Sequence, residues 1–144
     1  MQSLLHCLFL QLMDNVKRKN IFLFFISTGA CLLNQKMKLN ISNETLRWFM
    51  TCYFNDIVGG IAFAAYCNHI FSYYKGMLQK LWKIELLMLS SGFFWEYLTP
   101  LFRYDTISDP WDIVAYMFGG FIYWILLKLN TETKYSECSR DEVI

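Results

Sequence analysis

Long uncharged runs broken by short polar segments set the pattern of this chain. Residues 20–35 carry no charge, and their centre is apolar apart from Ser27, Thr28 and Gly29. Residues 57–74 are uncharged and hold Gly59, Gly60, Ala62, Ala64 and Ala65. Glu85 and Glu96 bracket an apolar stretch that continues through Phe102, and residues 113–127 are uncharged again. A bilayer-spanning helix needs about 20 mostly apolar residues. The pattern therefore predicts four transmembrane helices, at about 19–35, 54–74, 78–99 and 111–129. The first is short and leans on flanking lysines. Trp111, Tyr123 and Trp124 fall where aromatic belts are expected around the fourth.

Basic residues orient these spans. Lys17, Arg18, Lys19, Lys75, Lys80, Lys83, Lys128, Lys134 and Arg140 share one side, and Lys36, Lys38, Arg47 and Arg103 the other. The positive-inside rule then places both termini in the cytoplasm. The expected fold is all-α: one four-helix transmembrane bundle over residues 14–129, with a loose cytoplasmic tail over 130–144. Short connections make helices two, three and four antiparallel neighbours. Residues 1–13 stand apart. Their apolar centre is too short to span and lacks the leading basic cluster of a signal peptide. They form either a short interfacial helix or a segment upstream of a true start at Met13, and His6 and Cys7 receive no role.

Composition agrees with a membrane chain. Hydrophobic residues make up 56%, aromatic ones 19% and charged ones only 17%, where a soluble domain carries about 25% charged. A net charge of +1 argues against a nucleic-acid partner. Five cysteines without a Cys-x-x-Cys pair give neither a metal motif nor a disulfide framework. Asn40-Ile-Ser42 and Asn43-Glu-Thr45 match the glycosylation pattern, a short motif that arises often by chance.

Ionisable residues beside apolar spans mark function or a partner, because they are costly there. Asp56, Glu96, Asp109 and Asp112 all fall toward the outer side. Asp56 follows Asn55 and lies nineteen steps, about 28 Å of helix, from Lys75. Gly59 and Gly60 beyond it permit close helix approach. Pro100 should end the third helix, leaving Glu96 near a C-terminus that disfavours negative charge. Arg103 is the internal cation that would offset it; a bound cation is the other candidate. Asp109, Pro110 and Asp112 suit a helix start as N-cap, first residue and third residue. Asp112 also shares a face with Tyr116 and Gly119 and is expected to approach Asp56 and Glu96. Glu85 reads as a solvated or paired interfacial residue, and His69 as a hydrogen-bonded packing residue.

The segments Tyr53-Phe54-Asn55-Asp56, Phe94-Trp95-Glu96-Tyr97-Leu98-Thr99-Pro100, Ser108-Asp109-Pro110-Trp111-Asp112-Ile113 and Gly119-Gly120 resemble the VanZ-like family of small bacterial membrane proteins. The likeness covers about residues 50–127. The resemblance implies an acid on the third helix (Glu96), a following basic residue (Arg103), two aspartates opening the fourth helix (Asp109, Asp112), and Tyr116 and Gly119 on their face. Tyr116 stands where the family often has Asn, and Tyr97-Leu98-Thr99-Pro100 where it often has Gln, which marks a divergent branch. The resemblance implies a multi-pass protein of the bacterial inner membrane, and the family is associated with resistance to the glycopeptide teicoplanin.

Three functions fit these residues. The first is a binding or protective protein, with Asn55, Asp56, Glu96, Arg103, Asp109, Asp112 and Tyr116 forming an outward polar site. Its ligand would be a lipid head group, a cell-wall precursor or an amphipathic antibiotic, and it needs no resident cofactor. The second is an enzyme on a lipid-linked substrate, with a divalent cation held by the acids. No nucleophile with a neighbouring base and no phosphate-cradling loop supports it. The third is a purely structural polar cluster.

Overall fold

The computed structural model describes residues 2–74, 76–102 and 109–141. All regular structure among them is helical: α1 (Gln2–Met37), a 3-10 turn (Lys38–Asn40), α2 (Glu44–Cys52), α3 (Phe54–Tyr73), α4 (Leu81–Phe93), a π-turn (Phe94–Leu98), α5 (Thr99–Phe102) and α6 (Pro110–Asp141). The expected all-α class is therefore observed. Among the described residues one helix, α6 over Pro110–Leu129, is long and apolar enough to cross a membrane. The other three expected spans fall short of that measure. Polar side chains interrupt α1 and α3, and α4 is only 13 residues long before it widens.

Several boundaries differ from expectation. Helix α1 starts at Gln2 and runs unbroken past Met13. No Gly or Pro occurs before Gly29 to interrupt it. Helix α6 likewise continues to Asp141, through a tail expected to be loose. That tail has no helix breaker either. Pro100 does not stop the third helix. It is the second residue of α5, where no hydrogen bond within that short helix needs its absent N–H. The preceding chain widens into the π-turn instead. Helix α2 lies between the first two expected spans. Asn43 caps it, its side chain accepting a hydrogen bond from Leu46 N–H at 3.1 Å. Asn43→Ala should weaken this helix by about 1 kcal/mol, seen as faster amide exchange at residues 46–49.

The helices form a row in the order α1, α3, α6, α4. Helix α3 is central, packing on α1 along one side and on α6 along the other. Helices α3 and α4 touch little, against the expectation that they are neighbours, because α6 inserts between them. Contacts of α3 with α6 advance together along both helices, Gly60 meeting Tyr116 and Gly119, then Asn68 meeting Tyr123. These two helices are therefore parallel. Helix α4 runs antiparallel to α6, with Gly92 against Ile113 and Met88 against Gly120.

The closest approach is at the glycines. A Cβ on Gly119 would collide with the Ile57 carbonyl, and one on Gly60 would stand 2.8 Å from the Tyr116 carbonyl. Gly59, named with Gly60 in the sequence, faces open space.

Small and polar residues fill the interior. Ala64, Ala65, Ile84, Met88 and Tyr123 form its apolar centre, and Asn20, Ser27, Asn34, Asn68 and Ser72 are buried with them. Tyr123 is fully buried, not in an aromatic belt. Its hydroxyl accepts from Asn68 Nδ2 at 2.6 Å and donates to Asn20 Oδ1 at 2.8 Å. The Asn68 amide oxygen in turn accepts from Leu78 N–H at 2.7 Å. This chain of bonds ties α1, α3, α6 and the loop before α4 together. Buried polar groups keep their bonds because an unmade one is expensive.

Candidate functional site

The three acids named from the sequence come together at one end of the row. Asp56 lies in the first turn of α3, Asp112 in the first turn of α6 and Glu96 in the π-turn after α4. Because α3 and α6 are parallel and in contact, their first turns sit side by side. Because α4 is antiparallel to α6, its far end reaches the same level. The three carboxylates are close enough for their charges to act on one another, and all three act on the Tyr116 hydroxyl, which approaches the Asp56 carboxylate. All four side chains are partly buried.

Glu96 has a partner that the sequence did not indicate. Its Oε2 accepts from the backbone N–H of Asp109 at 2.8 Å. The amide end of α6 carries partial positive charge, so this contact offsets the carboxylate. Arg103, expected to pair with Glu96, lies outside the described residues. The π-turn sets this contact, since a wider turn redirects the side chains it carries. Such turns occur often at functional sites.

Asp109 takes the capping role that its position suggested. Its Oδ1 accepts from Trp111 N–H at 3.0 Å, and α6 begins at Pro110. Asn55 is engaged elsewhere. Its Oδ1 accepts from Asn34 Nδ2 at 3.0 Å, and the same Asn34 nitrogen donates to the Met50 carbonyl at 2.7 Å. Asn55 thus ties α3 to α1, and its side chain is occupied in that tie rather than in the acid cluster. Asp56, Asp112 and Tyr116 are the groups left facing one another. Among the described residues no cationic side chain forms an ion pair with the three acids, and no three His, Cys, Asp or Glu side chains are grouped to hold a metal ion.

Toward the other end, His69 and Glu85 behave differently. The Tyr73 hydroxyl lies 3.4 Å from His69 Nε2, and the Tyr73 and His69 rings meet edge to face. His69 Nδ1 has no partner. Glu85, expected to be solvated or paired, has a buried Oε1 without a hydrogen bond.

Sequence reasoning missed Asn20, Asn34 and Asn68. Asn68 interrupts an apolar run, where the signal available was its cost; Asn20 and Asn34 lie at the polar ends of theirs. Compared with family models, with curated proteins and with solved structures, the chain matches none.

Proposed function

We propose that this chain is a four-span protein of the bacterial inner membrane, with both termini cytoplasmic. In this reading Asp56, Asp112 and Tyr116 form an outward-facing binding site, and Glu96 is held beside them by the start of α6. The distribution of side chains supports the membrane setting. Large apolar residues cover the outside, including Phe22, Phe25, Leu86, Phe94 and Phe118, while asparagines and serines lie within. Water-soluble proteins rarely expose contiguous apolar surface on this scale. Helix α2 has no buried residue and presents Leu46, Trp48 and Phe49 outward, which suits a helix lying in the outer membrane interface. Reporter fusions at the C-terminus and within residues 41–43 should report opposite sides of the membrane. The same side for both would remove the four-span arrangement.

One observation carries the binding function: three carboxylates from three helices converge beside the Tyr116 hydroxyl, and among the described residues no cationic side chain is paired with any of them. Such a cluster favours a ligand with a cationic amine and further hydrogen-bond donors. An amphipathic antibiotic of the glycopeptide class has that chemistry, and the resemblance to the VanZ-like family points the same way. The protein would hold the antibiotic's polar part at the membrane surface, away from its cell-wall target.

Expression in a susceptible bacterium should raise the inhibitory concentration of teicoplanin. Asp112→Asn keeps the size of the side chain and removes its charge, so it should abolish that rise while the protein stays in the membrane at equal amount. An unchanged inhibitory concentration with the native chain, together with no teicoplanin binding by calorimetry in nanodiscs, would reject the antibiotic as ligand.

The hydrogen bond from Asp109 to Glu96 favours a structural role for that one acid. Glu96→Gln retains an acceptor for Asp109 N–H. Its expected effect on melting is correspondingly small, below about 1 kcal/mol; Glu96→Leu, which leaves that N–H without its partner, should cost about 1–3 kcal/mol.

A further inference from the structure

At the end of the row opposite the acids, a groove of about 200 Å³ opens between α1 and α3. It is lined by Asn20, Ile21, Phe24, Phe25, Tyr66 and His69. Ile21, Phe25 and Tyr66 are exposed, so the groove faces the surroundings of the bundle. Its accessible wall is apolar, and the unpartnered Asn20 Nδ2 and His69 Nδ1 are buried behind it. Asn20 is fully buried. Lys17 stands one helical turn before Ile21. Its Nζ lies 4.9 Å from the centre of the Tyr73 ring, which meets His69 edge to face. Lys17 is also 4.0 Å from the exposed Asp14. Arg18 follows it and is exposed. The groove thus has an aromatic, apolar body and a basic rim at one end.

We infer that this groove is a binding site for an anionic phospholipid of the cytoplasmic leaflet, with one acyl chain between Phe24, Phe25 and Tyr66 and the phosphate against Lys17 and Arg18. The polarity of the groove matches that of the lipid. An acyl chain requires apolar walls open to the bilayer, which Ile21, Phe25 and Tyr66 supply. The phosphate then reaches the basic residues at the membrane surface. Each basic side chain near that surface contributes about fivefold in affinity for anionic over neutral lipid. The inference rests on the membrane placement proposed above, and is independent of the acid cluster at the other end.

The full chain, purified in mild detergent, would be titrated with phosphatidylglycerol or phosphatidylcholine, and bound lipid resolved by native mass spectrometry. Phosphatidylglycerol should bind at least about fivefold more tightly. The Lys17→Gln/Arg18→Gln variant should bind the two lipids equally. Ile21→Trp, which fills the groove from an exposed position, should weaken both. Equal binding of the two lipids by the native chain overturns the site, and so does a preference that survives the double variant. The double variant decides the matter if Ile21→Trp unfolds, because Lys17 and Arg18 lie at the rim. Alkaline extraction of membranes separates the two levels of failure. A chain released by alkali overturns the membrane placement and the lipid site together. A chain retained in the membrane without lipid preference overturns the lipid site alone.

Discussion

Gly119→Ala should be the most damaging single-methyl change in the protein. Its added Cβ would run into the Ile57 carbonyl and crowd the Gly60 Cα. Both obstacles are backbone, so neither can rotate away. Helices α3 and α6 would have to separate, and their separation would loosen the first turns that bring Asp56 and Asp112 together. Overpacking of this kind costs about 1–3 kcal/mol, and a rigid obstacle places it at the upper end. Two neighbours serve as controls. Gly120→Ala meets the side chain of Met88, which is flexible and can yield, so its cost should be smaller. Gly59→Ala meets nothing within 4 Å and should be neutral or stabilise the helix by about 0.5–1 kcal/mol. Thermal unfolding in one detergent would rank the three variants. A Gly119→Ala protein that melts with the Gly59→Ala one would disprove the close crossing.

Tyr123→Phe should produce a second large loss, for a different reason. The change removes one oxygen and almost no volume. It leaves Asn68 Nδ2 without its short bond to the hydroxyl and Asn20 Oδ1 without its donor. An unsatisfied buried polar group costs about 1–3 kcal/mol. Asn68 Nδ2 keeps its 3.4 Å bond to the Leu78 carbonyl, so one group is left unsatisfied and the expected destabilisation is about 1–3 kcal/mol. Asn20→Leu combined with Tyr123→Phe should cost less than the sum of the single changes, because the first variant has already broken the shared bond. Additive losses in a double-mutant cycle would mean that the hydroxyl does not bridge α1 and α3.

Much of this architecture was legible in the chain. Uncharged runs located α3, α4 and α6, because apolar length is a property of consecutive residues. Asp109 and Pro110 marked the start of α6, because capping is decided within one turn. Gly59 and Gly60 marked a close crossing, although the pattern did not separate one from the other and did not pair Gly60 with Gly119. What could not be read is long-range. Asn20 and Tyr123 are 103 residues apart, and nothing near either one indicates the other. Asn55 looked like part of the acid cluster because it adjoins Asp56, yet adjacent helix positions point about 100° apart. That rotation carries Asn55 toward Asn34 on α1 while Asp56 faces α6. The order of the helices was misjudged for a related reason. Short connections suggested that α3 pairs with α4, but the glycine contact between α3 and α6 brings those two together, and α4 is left to pack on the outer side of α6.

The π-turn at Phe94–Leu98 also changes how the chain tolerates a change in length. Such a turn holds one residue more than the α-helical turn it replaces. Everything after it is rotated by about 100° and displaced by about 1.5 Å relative to an uninterrupted helix. Removing one residue from this segment need not break a helix; it converts the wide turn into an ordinary one. Elsewhere in α4 the same deletion would rotate Met88 and Gly92 out of their contacts with α6. Positions 94–98 are thus a built-in point of slack, where loss of a single residue would re-aim the carboxylate of the third helix without disturbing the packing below it.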